Sequence, residues 1–339
     1  MKAETIDRLA ATLLSRLPNA REEALGVVNG AFGDRLAAAN SAYALELDIF
    51  VGEERTPIDE LPPSDAGVCL FVHGLMGSQY AWSLGTEHGE RLDYGWSFQN
   101  ELDITPLYVR FNSGLHISTN GKQLARRIAR WFDAQETPPP TIDIIGHSMG
   151  GLVARSALHY ALAEGAAWTQ RVERVFLLGA PNHGARLEQF AHVTAFTLES
   201  IWNPWTKLIG KAINLRADGI KDLRHGFCLD EDWAHKDQDQ LRLAAPRTTH
   251  SPSRARWFVA AAQLGKKEDW VSKLLGDGLV RPPSADGRGF GSDPEGVRPR
   301  AVFRLFEQRA HLSLMNEPEV LSQIVDWWKA DETLRLHSQ

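Results

Sequence analysis

One short segment limits what this chain can fold into. Ile142-Asp143-Ile144-Ile145 reads as a buried strand, Gly146-His147-Ser148-Met149-Gly150-Gly151 follows at once, and Leu152-Val153-Ala154 opens a helix. A strand that turns into a helix within so few residues forces a strained backbone conformation on the residue at the bend. Here that residue is Ser148, and the bend projects its hydroxyl from the sheet. Gly146 and Gly150 flank it, where side chains would clash in so tight a turn. The helix start behind Ser148 adds partial positive charge, which favours an oxyanion.

The remainder of the chain reads as a sheet built around this turn. Short apolar runs at Val68–Val72, Pro106–Phe111, Thr141–Ile145, Val172–Leu178, Arg256–Ala262 and Ala301–Phe306 read as strands, with Tyr43–Phe50 as an earlier one. Helical spacing marks Asn120–Ala134, Gly150–Ala163 and Glu319–Ala330 between and after them. Alternation of this kind predicts an α/β fold with a mostly parallel central sheet covered by helices on both faces. Ile6, Leu9, Leu13 and Leu17, then Leu25, Val28, Phe32 and Leu36, predict a helical hairpin over residues 1–42, a structural appendage to a main domain at 43–330. Residues 331–339 read as a tail. The alternation breaks over 187–251, an insertion read as a helical cap or lid. Within it Asn203-Pro204 starts a helix whose stripe is Trp205, Leu208, Ile209 and Ala212.

Composition excludes several classes. The 339 residues carry 37 Lys and Arg against 43 Asp and Glu, a net charge of −6, and are 43% hydrophobic. That is a globular composition, not a disordered one. The acidic balance argues against nucleic acid as a partner. Two cysteines, Cys69 and Cys228, make no disulfide scaffold. No run approaches the roughly 18 apolar residues of a membrane span, and the first residues lack the apolar core of a secretory signal, so the cytoplasm is the default expectation. No Cys/His set has zinc spacing. Asp230, Glu231, Asp232, Asp237 and Asp239 lack the glycine turn and closing Glu of a calcium loop and read as a solvated acidic stretch. Neither a metal nor a cofactor is expected.

A serine nucleophile needs oxyanion donors, a base and an acid. One donor is the amide after the nucleophile, Met149. The other belongs to His73-Gly74-Leu75-Met76-Gly77, just past the strand Val68–Val72, with Leu75 preferred and Met76 second. His73 itself reads as a turn histidine that holds the loop. Asp277, between two glycines after a late strand, is the candidate acid. His311, between the last strand and the last helix, is the candidate base, and pairing with Asp277 would raise its pKa above the usual value of about 6.5. His183, in Gly179-Ala180-Pro181-Asn182-His183-Gly184, precedes any late acid and reads as a pocket or loop-holding residue. Met76, His183 and Trp205 are the candidate substrate contacts.

Taken together, these motifs resemble the bacterial lipase and esterase type of α/β-hydrolase, in the branch related to the α/β domain of GPI inositol-deacylases. The likeness spans about residues 43–330, and the order Ser148, Asp277, His311 matches the order of that fold. It implies an α/β-hydrolase fold with Ser148 as nucleophile, His311 as base, Asp277 as acid, and Leu75 and Met149 as oxyanion donors. The sequence departs from the branch at Val280-Arg281-Pro282-Pro283, where members often carry Val-Pro, and in having no membrane span. The expected activity is hydrolysis of a small-molecule or lipid carboxylic ester through an acyl-enzyme. Thioester hydrolysis and acyl transfer use the same machinery and stay open. A non-catalytic binding protein on the same fold is the alternative of a different class, and its usual mark, a missing triad member, is absent.

Overall fold

The computed structural model describes residues 3–15, 20–52, 55–60, 65–83, 92–182, 184, 217–236, 246–263 and 301–336. Eight described strands form one sheet. They are β1 (Asp48–Val51), β2 (Thr56–Pro57), β3 (Gly67–Val72), β4 (Ile104–Arg110), β5 (Ile142–His147), β6 (Val172–Leu178), β7 (Arg256–Gln263) and β8 (Val302–Glu307). Their spatial order is β2-β1-β4-β3-β5-β6-β7-β8. The six strands from β4 to β8 in that order run parallel, while β1 is antiparallel to β4 and β2 to β1. This is the α/β-hydrolase arrangement, and the fold class expected from the sequence holds.

Both sheet faces are covered, which is why the central strands are apolar throughout. On β3, Val68, Leu70 and Val72 face α4 (Ile117–Asp133) and α5 (Met149–Ala163), sharing a core with Leu124, Ile128, Trp131, Leu152 and Val153. Cys69 and Phe71 face the other way, into a core with Tyr94 and Phe98 of α3 (Tyr94–Leu102) and with Val320, Ile324 and Val325 of the final helix (Pro318–Leu336). That last helix runs through most of the stretch expected to be a tail.

Two helices precede the sheet, α1 (Ala3–Ser15) and α2 (Arg21–Ala38). Ile6, Ala10 and Leu14 of α1 and Leu25, Val28, Phe32 and Leu36 of α2 share one apolar cluster, which also takes in Met76 from the loop after β3. The first pair therefore reaches the ends of the sheet strands. The strand expected from Tyr43 begins only at Asp48. Asn29 on α2 donates to the Tyr43 carbonyl at 2.8 Å and accepts from the Leu45 amide at 2.9 Å, so these backbone groups bond to a side chain instead of a neighbouring strand.

Of the 187–251 insertion, residues 217–236 and 246–251 are described; its helix at Asn203 and Trp205 lie outside the described residues. The described part holds α6 (Asp218–His225) and a short turn of helix, Asp230–Trp233. The acidic stretch there is not uniformly solvated. Asp232 is fully buried, its carboxylate accepting from the amides of Cys228, Leu229 and Arg247 at 3.0, 3.0 and 2.8 Å. Asp230 pairs with Lys122. No described helix is long and apolar enough to cross a membrane.

Candidate active site

The carboxyl ends of β3, β5 and β6 lie side by side, with Val72 opposite Gly146 and His147 opposite Leu178. The three glycine-bearing loops singled out in the sequence leave from these ends, where open α/β sheets place their ligands. β5 continues to His147, so Ser148 is the first residue past the sheet and Met149 the first of α5.

Ser148 has φ 52° and ψ −122°, a region that a residue with a Cβ rarely occupies. Its amide donates to the Leu178 carbonyl at 2.8 Å, which pins the bend to β6. The flanking glycines are required by close approach. A Cβ on Gly146 would lie 2.6 Å from Gly151 Cα, and one on Gly150 would lie 2.2 Å from the Val72 carbonyl oxygen. The first turn of α5 is thereby pressed onto the end of β3, beside the loop from His73 to Ser78. The Met149 amide sits at a helix N-terminus, where the first backbone donors have no partner within the helix.

His73 holds its loop from inside. Its Nδ1 donates to the Gly74 carbonyl at 2.7 Å, leaving Nε2 to accept from the Phe111 amide at 3.4 Å, and the ring stacks on Phe111 with centroids 4.2 Å apart. Burial pushes its pKa down to about 4, so the ring is neutral at physiological pH. Met76 takes a left-handed conformation at φ 61°, and its amide donates to Ser113 Oγ at 3.0 Å. Met76 is thus already committed as a donor, whereas Leu75, half-buried beside it, is the residue the sequence favoured.

His311 follows β8 and is buried, as Ser148 is, each 5% exposed. Its ring lies against Gly179 at the end of β6, where a Cβ would come within 2.6 Å of Cε1 and 2.9 Å of Nδ1. The His311 and His147 rings are 4.6 Å apart, and His147 Nε2 donates to the His311 carbonyl at 3.2 Å. Neither ring nitrogen of His311 is hydrogen-bonded to a described residue. Burial pushes its pKa well below the usual value, with His147 adding to the effect. That direction is opposite to the rise expected from a carboxylate partner. Asp277 and His183 lie outside the described residues.

The structure thus brings Ser148, Met149, the Leu75–Met76 loop and His311 to one end of the sheet. It also identifies two residues the sequence did not offer. Arg155, buried on α5, donates to Asn182 Oδ1 at 2.9 Å and to Thr249 Oγ1 at 3.1 Å, tying the loop after β6 to the end of the insertion. Ser113 holds Met76. Nothing in the local sequence marks either, because each acts across a gap of tens of residues. Among the described residues no group of three His, Cys, Asp or Glu is arranged to hold a metal ion.

Residues 64–257, more than half of the chain, match the PGAP1-like alpha/beta domain family. No curated protein matches. Similar solved structures include a Bacillus licheniformis lipase in mature form, 20% identical, covering 82% of this chain and 97% of that one, with a TM-score of 0.47. A Pyrococcus furiosus esterase is 13% identical, covering 84% and 89%, with a TM-score of 0.46. A thermophilic esterase from Thermogutta terrifontis is 13% identical, covering 84% and 93%, with a TM-score of 0.40.

Proposed function

The chain belongs to the PGAP1-like alpha/beta domain family, and from that premise we propose that it is a serine hydrolase of carboxylic esters. The observation that carries this reading is the backbone of Ser148, held at φ 52° and ψ −122° between β5 and α5 with the buried His311 beside the same strand ends. A strained serine at a helix N-terminus has no structural use that a glycine would not serve better.

Ser148 Oγ attacks the ester carbonyl carbon while His311 accepts its proton. The tetrahedral oxyanion is met by the amides of Leu75 and Met149, the second aided by the dipole of α5. The Met76 bond to Ser113 supports Leu75 as the donor from that loop. Collapse expels the alcohol, protonated by His311, and leaves an acyl-enzyme on Ser148. His311 then deprotonates the water that releases the acid. Asp277 completes the triad by accepting from the His311 ring and fixing its tautomer. His183 and Trp205 are proposed to border the acyl site, with the substrate a small or lipid ester; Met76, expected there from the sequence, instead packs its side chain against α2.

The test is labelling by a fluorophosphonate probe together with hydrolysis of a chain-length series of nitrophenyl esters, run beside thioesters. Ser148→Ala should lose both label and turnover. His311→Ala should lower kcat by about a thousandfold, and His183→Ala should act mainly on KM. Labelling that persists in Ser148→Ala overturns the assignment. A preference for thioesters would move the substrate class and keep the machinery.

A further inference from the structure

The loop that carries Leu75 is held from two sides by residues outside it. Met76 stands in the left-handed region, which a non-glycine residue keeps only when its surroundings impose it. One constraint is the 3.0 Å bond from its amide to Ser113 Oγ, in the turn after β4, with Ser113 only 1% exposed. That turn is itself fixed. Asn112 accepts from the Gly114 amide through Oδ1 and from Asn120 Nδ2 through its carbonyl, at 3.1 and 2.9 Å, and its Nδ2 donates to the Gly33 carbonyl of α2 at 3.0 Å. The other constraint is α2, which lies so close that a Cβ on Gly30 would come 3.0 Å from both the amide nitrogen and the Cα of Met76, and 2.4 Å from its Cγ.

We propose that Ser113 is a positioning residue for ester hydrolysis: by holding the Met76 amide it fixes the 75–76 peptide plane, and with it the direction of the neighbouring Leu75 amide, while α2 backs the loop. The inference rests on the reading of Ser148 as nucleophile. The reason is chemical as well as geometric. An oxyanion donor aids the reaction only if it is already aimed at the transition-state oxygen before charge develops there. The Met76 amide is buried, so it cannot exchange Ser113 for another acceptor without the peptide turning. Turning the 75–76 peptide changes the backbone torsion of Leu75 and with it the path of the loop into the site. The ground-state ester gains little from the donor, so the effect belongs in kcat more than in KM.

The experiment compares Ser113→Ala and Ser113→Thr with the parent protein on a short nitrophenyl ester. Ser113→Ala should lower kcat about 10- to 100-fold, less than the loss of a whole oxyanion donor, with KM within about twofold. Affinity for a boronate transition-state analogue should fall by the same factor as kcat/KM. The acid limb of the pH profile should stay in place, because the base is untouched. Ser113→Thr, which keeps the hydroxyl, should stay within about threefold of the parent in kcat. A parent-like kcat in Ser113→Ala, or a loss confined to KM, overturns the proposal. If Ser113→Ala does not fold, Gly30→Ala presses on Met76 with Ser113 intact; it should give the same loss in kcat and analogue affinity, and an unchanged kcat there overturns the proposal equally. Retained turnover in Ser148→Ala overturns the nucleophile reading and the positioning role with it. Loss in Ser148→Ala beside a parent-like Ser113→Ala overturns the positioning role alone.

Discussion

His147 Nε2 donates to the carbonyl oxygen of His311 at 3.2 Å, so the residue beside the elbow serine anchors the backbone of the residue proposed as the base. A carbonyl can only accept, so Nε2 carries the proton. Burial pushes the His147 pKa down to about 4 and keeps the ring neutral. The bond joins the end of β5 to the turn after β8 across the ends of the two intervening strands, β6 and β7, and so ties the elbow to the base.

This depressed pKa makes stability depend on pH in a stated direction. As pH falls below the reference value of about 6.5, the unfolded chain takes up a proton at His147 while the folded chain does not. The stabilisation present above that pH is therefore lost on acidification, by about 2 kcal/mol at pH 5. His147→Gln keeps an N–H donor and does not titrate. Urea unfolding at pH 7 and pH 5 should show the parent losing about 2 kcal/mol more than the variant between the two. Equal losses in both proteins would mean that His147 is not held neutral by the fold.

The same physics sets the acid limb of activity. His311 must be neutral to accept the Ser148 proton, and burial lowers its pKa. Activity is present above the folded pKa and disappears as pH drops through it. The midpoint of kcat/KM should fall below about 6.5. Asp277→Asn tests the acid, which is proposed from sequence: removing a carboxylate that favours the imidazolium should move the midpoint further down and lower kcat. A midpoint identical in the two proteins would remove Asp277 from the triad.

The sheet was legible because its central strands are buried on both faces, which writes them as unbroken apolar runs. Val172–Leu178 matches β6 residue for residue, and the elbow lies where the Gly146 to Gly151 turn predicts it. What was not legible depends on side chains that replace backbone partners or reach across the chain. Asn29 takes the backbone of Tyr43 and Leu45 out of strand pairing. Asp93 caps α3 by accepting from the Trp96 amide at 3.0 Å, and its carboxylate also accepts from Tyr108 on β4, a partner that only the fold brings near. Asp232 looks like its acidic neighbours until the fold buries it. The ties of His147 to His311 and of Ser113 to Met76 have no local pattern at all.

At the opposite end of the sheet, Arg174 is fully buried between Asp143 and Asp331, also fully buried, at 3.3 and 2.9 Å. Its guanidinium lies 4.4 Å from the centre of the Trp328 ring, and Trp328 Nε1 donates to Asp143 at 2.7 Å. The cluster fastens the final helix to β5 and β6. Arg174→Met would leave the buried Asp143 without its cation, while Asp331 keeps Arg256 and Arg335, a loss of about 3–5 kcal/mol. Burial already pushes the Asp143 pKa up to about 6 despite Arg174. Without the arginine it rises further, and because the folded state then binds the proton more tightly than the unfolded one, part of the deficit should be regained on acidification. Urea unfolding of Arg174→Met at pH 7 and pH 5 checks both the size and the sign. A deficit that grows towards pH 5 would reject the account.

Ser148 itself separates strain from chemistry. Its left-handed φ costs on the order of 1–3 kcal/mol in a residue with a Cβ, and glycine adopts the same backbone freely. Ser148→Ala removes the hydroxyl and keeps the strain. Ser148→Gly removes both, but loses about 0.4–1 kcal/mol by making the unfolded chain more flexible. The two effects leave Ser148→Gly more stable than Ser148→Ala by about 1 kcal/mol, which in a chain of this size raises Tm by a few degrees. Both variants should be inactive and unlabelled by a fluorophosphonate. Calorimetry of the pair decides the matter. If Ser148→Gly melts no higher than Ser148→Ala, the elbow stores no strain, and its backbone conformation no longer requires a functional serine to account for it, even if both variants are inactive.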